Sequence, residues 1–162
     1  MKILVFSDSH SSFSFMRRCI EVVQPDAMIH LGDYYSDGQT MAEEYPNIPI
    51  YQVPGNCDAH RGYIPDPETQ LISLHGVRLF MTHGHRHGVK MSIYKLLADA
   101  RSVGVQAVLF GHTHMALCQQ DEGIWVLNPG PATYGGSAGI IEIHCGKITH
   151  CRLIRPDELM ER

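Results

Sequence analysis

Residues 2–10 read KILVFSDSH, in which an apolar run over 2–6 is followed within four residues by Asp8 and His10. A run of this kind, without alternation between apolar and polar residues, is typical of a strand that is buried on both faces of a sheet. Asp8 and His10 are both metal-ligand residue types, and side chains two residues apart in an extended segment point the same way. The stretch therefore predicts a central strand whose carboxyl end carries chemically active groups.

Four more predicted strands end in the same way, each running into polar residues of types that bind metals. The strands and the residues that follow them are 27–31 with Asp33, 50–53 with Asn56, 77–82 with His83, and 107–110 with His112 and His114. Because the carboxyl ends of strands in α/β folds face one crevice, donors that lie far apart in the sequence can converge there. The sequence therefore predicts one site built from five strand ends.

The segments between these strands have the apolar spacing of helices. Helices are predicted from the cap Ser14 to the residue before Pro25, around Thr40 to Tyr45, and from the cap Ser92 to Gly104. The final third alternates like antiparallel strands over 115–119, 124–127, 139–143 and 147–154, while 69–74 and 77–82 are predicted to form a hairpin. Because no linker or repeat divides the sequence, we expect one α/β domain with mixed sheets over residues 1–162.

The composition argues against several classes of function. Lys and Arg number 13 against 17 Asp and Glu, giving a net charge of −4, so the chain lacks the basic field that long nucleic acids need. No apolar stretch approaches the roughly 20 residues of a membrane-spanning helix, so we expect a cytoplasmic protein without a membrane partner. The five cysteines form no Cys-x-x-Cys pair, which argues against a disulfide framework or a zinc ribbon. The clustered histidines instead indicate a metal.

The motifs in their order resemble the calcineurin-like metallophosphoesterase superfamily, and most closely its small YfcE-like phosphodiesterase branch. They are Asp8-Ser9-His10, Gly32-Asp33, Gly55-Asn56-Cys57-Asp58, His83-Gly84-His85 and Gly111-His112-Thr113-His114. The resemblance implies a four-layer fold, in which two mixed β-sheets pack as a sandwich with helices on the outer faces. It also implies two divalent metal ions, one held by Asp8, His10, Asp33 and His114 and the other by Asp33, Asn56, His83 and His112, with Asp33 as the bridge.

Oxygen and imidazole donors without thiolate suit several divalent ions. We expect Mn²⁺ first, with Fe, Zn²⁺ or Ni²⁺ as the alternatives. Two such ions keep a positive surplus over the charges of Asp8 and Asp33, which would attract an anionic phosphate. They can also generate a bridging hydroxide near neutral pH that attacks phosphorus in line, so no protein nucleophile is required.

The sequence therefore predicts a metal-dependent phosphodiesterase that acts on a small phosphodiester or nucleotide. Phosphomonoesterase or nuclease activity is the nearest alternative among enzymes. The alternative from another class is a catalytically inactive scaffold or protein-interaction domain, a role that the retromer subunit of this superfamily exemplifies. Whether the protein forms a homo-oligomer is left open.

The predicted catalytic residues are Asp33, Asn56, Cys57, Asp58 and His85. Many larger relatives carry histidine directly after the asparagine of the third motif, where this chain has Cys57, as does the small branch. A thiol is a poorer proton donor than an imidazolium near neutral pH, so we expect a preference for good leaving groups unless His85 takes that role. Asp58 is expected to orient the loop.

Four other histidines receive separate expectations. His30 and His75 lie in or beside strands and are expected to be structural. His60 and His87 follow ligand motifs by a few residues, and for them a place at the substrate entrance is left open.

Overall fold

The computed structural model describes residues 1–60 and 67–160, and these form ten strands and five α-helices. The strands are β1 Lys2–Phe6, β2 Ala27–His30, β3 Ile50–Gln52, β4 Thr69–Leu74, β5 Val77–Thr82, β6 Ala107–Leu109, β7 Leu117–Asp121, β8 Ile124–Asn128, β9 Ala138–His144 and β10 Lys147–Ile154. The helices are α1 Phe13–Val23, α2 Tyr35–Glu44, α3 Asn56–His60, α4 Tyr94–Ser102 and α5 Pro156–Met160, with a 3-10 turn at His85–His87.

The strands form two five-stranded mixed sheets, which confirms the predicted fold class. The first sheet has the order β10-β9-β1-β2-β3, in which β1, β2 and β3 are parallel and β9 runs antiparallel to β1. The second has the order β4-β5-β6-β8-β7, in which β5, β6 and β8 are parallel. The parallel strands of each sheet therefore end at one edge, and that is where the predicted site residues begin.

The two sheets pack face to face, and β1 shows why its sequence does not alternate. Its residues Ile3 and Val5 belong to the core between the sheets, whereas Leu4 and Phe6 pack under α1 on the outer face. All four side chains are fully buried, so both faces of the strand require apolar residues. Helix α4 covers the outer face of the second sheet in the same way, and the predicted layers are thus present.

Several element boundaries differ from the predictions. Helix α1 begins at Phe13, so Ser14 lies inside it and is not the cap; Ser12 precedes the helix without a side-chain capping hydrogen bond. Helix α2 begins at Tyr35 rather than near Thr40, because the left-handed backbone of Tyr34 turns the chain directly from the end of β2 into the helix. Helix α4 ends at Ser102, within two residues of the predicted end.

Further elements were not predicted or lie at other positions. Residues Asn56–His60 form the short helix α3 rather than a loop, and α5 was not predicted. The strand expected over 115–119 lies at Leu117–Asp121. The antiparallel hairpins predicted for the final third are present, since β7 pairs with β8 and β9 pairs with β10 in antiparallel. The parallel pairing of β8 with β6, which leaves β7 at the sheet edge, was not predicted. Within residues 1–60 and 67–160, no helix has the length and apolar character needed to cross a lipid bilayer.

The hairpin of β4 and β5 allows a test of the core between the sheets. Leu79 is fully buried there, whereas Leu71 on the neighbouring strand is 46% exposed. We expect Leu79→Ala to lower the free energy of unfolding by about 3 kcal/mol, because it removes buried methyl groups and leaves a cavity. Leu71→Ala is the control and should cost less than about 1 kcal/mol. Urea unfolding measures both, and equal losses would contradict this arrangement of the layers.

Candidate metal centre

The predicted site residues lie on short turns that leave the ends of the parallel strands. Backbone hydrogen bonds join these turns in pairs: Asp8 N–H donates to the Gly32 carbonyl oxygen at 3.0 Å, and Gly111 N–H donates to the His83 carbonyl oxygen at 3.0 Å. The first bond ties the β1 turn to the β2 turn, and the second ties the β5 turn to the β6 turn. Each sheet therefore presents two donor-bearing turns side by side.

Two glycines allow the turns to approach closely enough for the donors to meet. A Cβ on Gly111 would overlap Ser7 Oγ and lie 2.8 Å from Asp8 Oδ2, which joins the turn from the second sheet to the turn from the first. A Cβ on Gly55 would overlap the carboxylate of Asp33. Any side chain at either position would push these turns apart, so the glycines of the motifs are a steric requirement of the site.

One group of donors lies around Asp8. Its Oδ1 is 3.1 Å from His114 Nε2, and the ring of His10 lies 5.7 Å from the ring of His114. Donor atoms of Asp8, His10 and His114 all lie within 4.8 Å of one another, which is close enough for one ion to contact all three. His10 and His114 are exposed, whereas Asp8 is fully buried, so this group opens toward solvent.

A second group lies around His83, deeper in the protein. His83 Nε2 is 3.4 Å from Asp33 Oδ2, 3.9 Å from Asp8 Oδ1 and 3.1 Å from Asn56 Oδ1. The ring of His112 lies 5.0 Å from the ring of His83. Donor atoms of Asp8, Asp33 and His83 form the second set within 4.8 Å. All seven residues predicted as ligands from the sequence thus lie in one cluster, with Asp8 and Asp33 close to each other at its centre.

The orientation of His83 is suited to a metal ligand. Its Nδ1 lies 2.7 Å from the carbonyl oxygen of Leu31, which can only accept, so Nδ1 carries a proton and donates it. This hydrogen bond fixes the ring and leaves Nε2 directed at Asp33 and Asn56. The Nε2 position can therefore hold either a proton shared with Asp33 or a bound cation, an arrangement that is common for metal-binding histidines.

The backbone at the cluster is held in an unusual conformation. Five of the seven predicted ligands have a positive φ between 45° and 67°, which is rare for residues other than glycine: Asp8, His10, Asp33, His112 and His114. Such conformations each cost on the order of 1 kcal/mol or more and persist where the surrounding structure enforces them. Their concentration here indicates that side-chain placement, rather than backbone stability, determines these turns.

The charges at the centre are largely shielded from water. Asp8 and His83 are fully buried and Asp33 is 3% exposed. Within residues 1–60 and 67–160, the ion pairs of the two carboxylates involve only histidines, and no lysine or arginine pairs with either of them. Buried carboxylates so close together repel each other and require positive charge nearby. Oxygen and imidazole donors in such a setting fit divalent metal ions.

Neighbouring groups shift the pKa values inside the cluster. Burial favours the neutral form of Asp33, but the hydrogen bond and charge of His83 and the Cys57 N–H outweigh it and lower the pKa of the carboxyl group. Burial likewise lowers the pKa of His83, and Asp33 and Asp8 reverse this and raise it. The pKa of His112 falls to about 4, because of burial and then the charges of His83 and Lys90. The His112 imidazole is therefore uncharged near neutral pH, and one of its ring nitrogens has a lone pair that can bind a cation.

The residues after β3 hold the Asp33 carboxylate in place. Cys57 N–H donates to Asp33 Oδ1 at 2.9 Å. Asp58 is buried, and its two carboxylate oxygens accept from the backbone N–H groups of Tyr35 and Gly55 at 2.8 and 2.7 Å. Asp58 thus joins Gly55 to the start of α2. Burial, followed by the neighbouring Asp33, raises the pKa of the Cys57 thiol to about 11.

His85 lies at the edge of the cluster, beyond the deeper donors. Its ring is 5.5 Å from that of His83 and 6.1 Å from that of His112, and its Nε2 is 3.7 Å from Glu68 Oε1. Burial and the charge of His83 lower the pKa of His85. His85 therefore lies beside the cluster of predicted ligands but belongs to neither of the two donor groups.

A buried network connects the β1 and β2 turns, and one member was missed in the sequence. Gly32 N–H donates to His30 Nδ1 at 3.3 Å, so the remaining ring proton lies on Nε2 and is donated to Ser9 Oγ at 2.9 Å. Ser9 in turn donates to Asp37 Oδ2 at 2.7 Å. Burial lowers the pKa of His30, which agrees with its neutral form and its predicted structural role. Asp37 resembles any acidic residue in the first turn of a helix, so no sequence signal identified it.

The turn that carries His112 and His114 has its own support. Asn128, fully buried at the end of β8, donates to the Gly111 carbonyl oxygen at 3.0 Å and to Thr113 Oγ1 at 2.9 Å. Asn128 was not predicted as a positioning residue, because its contacts come from strand pairing across the second sheet.

The other predicted histidines lie outside the two donor groups. His87 Nε2 is 3.3 Å from Asp99 Oδ2, and its ring packs against Phe80 at 6.0 Å. His60 is exposed at the end of α3. His75 occupies the turn between β4 and β5 with a positive φ, as expected of a structural residue.

The chain is similar to known phosphoesterases. Residues 1–149 match the model of the calcineurin-like phosphoesterase superfamily domain. The probable metallophosphoesterase YsnB of Bacillus subtilis is 32% identical over 133 residues, which cover 80% of this chain and 74% of YsnB. Phosphodiesterase YfcE of Escherichia coli is 28% identical over 165 residues, which cover 83% of this chain and 86% of YfcE.

The fold also occurs in a protein that is not named as a phosphoesterase. Wild-type Vps29 from Entamoeba histolytica, solved in complex with Zn²⁺, has a TM-score of 0.67 at 19% identity, covering 96% of this chain and 99% of that chain. At this level of identity the likeness concerns the fold. It confirms the predicted metallophosphoesterase-like architecture.

The buried network predicts that Ser9 supports the donors without contacting an ion. We expect Ser9→Ala to lower the free energy of unfolding by about 1–3 kcal/mol, because His30 and Asp37 lose a buried hydrogen-bond partner. Mn²⁺ affinity should fall on the order of tenfold, as is usual when a supporting hydrogen bond is removed. Urea unfolding and calorimetric Mn²⁺ titration measure the two effects.

Ser12→Ala provides the matched control in the same turn, since the Ser12 side chain makes no capping hydrogen bond. It should change neither quantity appreciably. If Ser9→Ala behaved like Ser12→Ala in both measurements, the network would have no role in positioning the donors.

Proposed function

The chain belongs to the calcineurin-like phosphoesterase superfamily, and from that premise we propose that it is a metal-dependent phosphodiesterase acting on a small phosphodiester or nucleotide. The observation that carries the proposal is the meeting of seven residues with oxygen and nitrogen donors, of which two are buried carboxylates. Relatives named as phosphodiesterases support the reaction class. The complex of Vps29 with Zn²⁺ supports metal binding by this fold.

The proposed centre holds two divalent ions, which share Asp33. By the family pattern, Asp8, His10, Asp33 and His114 would hold one ion, and Asp33, Asn56, His83 and His112 would hold the other. The donor sets that lie within 4.8 Å place Asp8 in both groups and Asp33 in the deeper one. When bound, the ions supply Lewis acidity toward phosphoryl oxygens and lower the pKa of water to near neutrality. Mn²⁺ is proposed first, with Fe, Zn²⁺ and Ni²⁺ as alternatives that the same donors would accept.

The protein's own groups determine charge and orientation. Asp8 and Asp33 contribute two negative charges and the proposed imidazole ligands none, so a centre with two divalent ions keeps a positive surplus that attracts a phosphate anion. Cys57 N–H and the Asp58 loop hold the Asp33 carboxylate in one orientation. His85 and the Cys57 side chain, beside the donors, are the two groups proposed to face the leaving oxygen.

The alternatives differ in what supports them. A scaffold role draws on the likeness to Vps29. This chain, however, retains all seven donor residues, and it buries Asp8, Asp33 and His83 at a cost that a pure binding surface would not require. The net charge of −4 disfavours long nucleic acids as substrates. Phosphomonoesterase activity remains the enzymatic alternative. We propose the cytoplasm as the site of action.

Replacement of Asp33 tests the function directly. Asp33→Asn keeps the shape of the side chain and removes the shared negative charge, so we expect kcat/KM for an aryl phosphodiester with Mn²⁺ to fall more than about 100-fold. Asp26→Asn is the control, since Asp26 lies at the opposite end of β2 and accepts the Lys2 N–H, which asparagine can also do.

The same assay with an aryl phosphomonoester separates the alternatives. Faster hydrolysis of the diester supports the proposal, and faster hydrolysis of the monoester would replace it with a phosphomonoesterase. Native protein that binds Mn²⁺ but hydrolyses neither compound would favour the scaffold role.

Cys57 allows a test of the leaving-group preference. We expect Cys57→His to raise kcat/KM for alkyl aryl diesters with poor phenol leaving groups about tenfold, because imidazole is a better proton donor near neutral pH. Esters of 4-nitrophenol need little protonation and should change by less than about threefold. If both classes of ester respond equally, Cys57 does not limit protonation of the leaving group. His85→Gln would then be measured on the same esters to identify the donor.

A further inference from the structure

An open groove of about 470 Å³ lies next to the turn that carries His112 and His114. Its lining is mainly apolar and comes from the segment before α4, from the residues between β6 and β7, and from the first residue of β7. The apolar lining residues include Val89, Ile93, Phe110, Met115 and Leu117. The groove is of the size that small-molecule sites usually have.

The groove borders the turn that carries two of the proposed ligands. Thr113 lines it and lies between His112 and His114 in the same turn. Val89 lines it and packs against Gly84, where a Cβ would lie 2.8 Å from Val89 Cγ2. Because Gly84 lies between His83 and His85, a residue of the groove wall contacts the second histidine-bearing turn. A molecule bound in it would therefore have one end beside the donors.

Among the described residues that line the groove, two have polar side chains, Lys90 and Thr113. Lys90 is an exposed lining residue, and within the described part of the chain it has no ion-pair partner. Thr113 Oγ1 accepts hydrogen bonds from Asn128 Nδ2 and the Met115 N–H, which fixes its side chain. A sugar or a second phosphate in the apolar part would lose its water hydrogen bonds without replacement. An apolar group has no hydrogen bonds to water to lose, and removing its surface from water would favour binding.

We propose that the groove receives an apolar ester group of the phosphodiester substrate, while Lys90 pairs with a phosphate oxygen at the metal centre. The inference rests on the proposed function and narrows it, because it favours a diester with an aromatic or aliphatic arm over one whose two arms are both sugars. Lys90 and the apolar walls act as specificity-determining residues, and the metal-binding side chains remain those of the cluster.

The test uses Met115, which lines the groove yet is 73% exposed, so that its replacement leaves the fold intact. Met115→Gln keeps the length of the side chain and makes it polar. With Mn²⁺ and bis(4-nitrophenyl) phosphate, which has an aromatic group on both arms, we expect KM to rise about fivefold with kcat nearly unchanged. Met91→Gln is the matched control, since Met91 is 92% exposed and does not line the groove.

Lys90→Gln tests the charged end. We expect it to raise KM for the same compound about fivefold and to weaken the salt dependence of KM. Lys147→Gln, on the β9–β10 hairpin, is the control for the loss of one positive charge. Mn²⁺ affinity should be the same in all four variants, because none of them replaces a proposed ligand.

A binding measurement keeps this inference separate from the proposed function. The Mn²⁺-loaded protein is titrated with 1-naphthyl phosphate and with methyl phosphate. This measurement of affinity does not require turnover. Tighter binding of the naphthyl compound that is lost in Met115→Gln but retained in Met91→Gln supports the groove, even if no diester is hydrolysed. Equal affinity for the two compounds, or no effect of Met115→Gln on affinity or KM, overturns the inference and leaves the groove to a protein partner.

Discussion

Two carboxylates buried side by side, Asp8 and Asp33, are the constraint on which the rest of the site depends. Removing a carboxylate from water costs several kcal/mol, and the proximity of a second one adds to that cost. The structure offsets it with donors: Asp8 accepts from Ser7 Oγ and the His112 N–H, and Asp33 accepts from the Cys57 N–H. The histidines around them supply the remaining partners, in positions that suit metal ions.

This arrangement depends on the packing of the two sheets. Asp8 and Asp33 come from the first sheet, whereas His83 and His112 come from the second, so the donors meet only because the sheets are held face to face by their common core. The core also maintains the left-handed turns, whose unfavourable backbone conformations would relax in a looser structure. Because Gly111 has no side chain, the turn after β6 can approach the turn after β1 closely enough for their donors to meet.

The same fold occurs in proteins with different names, and so the fold does not decide between an enzyme and a binding protein. The side chains at the strand ends carry that decision. Here they combine buried negative charge, oriented imidazoles and an adjacent apolar groove with one lysine. The buried carboxylates and imidazoles suit divalent cations.

The sequence by itself determined the strands and the mixed sheets, and it identified the seven polar residues that meet at the strand ends. Buried strands require apolar residue types, and the polar residues that follow them stand out, as in KILVFSDSH at residues 2–10. It missed α5, the length of α2 and the parallel pairing of β8 with β6, since these depend on which surface each segment packs against. Asp37, Asn128 and the groove were decided only by tertiary structure. Each acts through contacts between segments that are distant in the chain, and such contacts leave no local pattern of residue types.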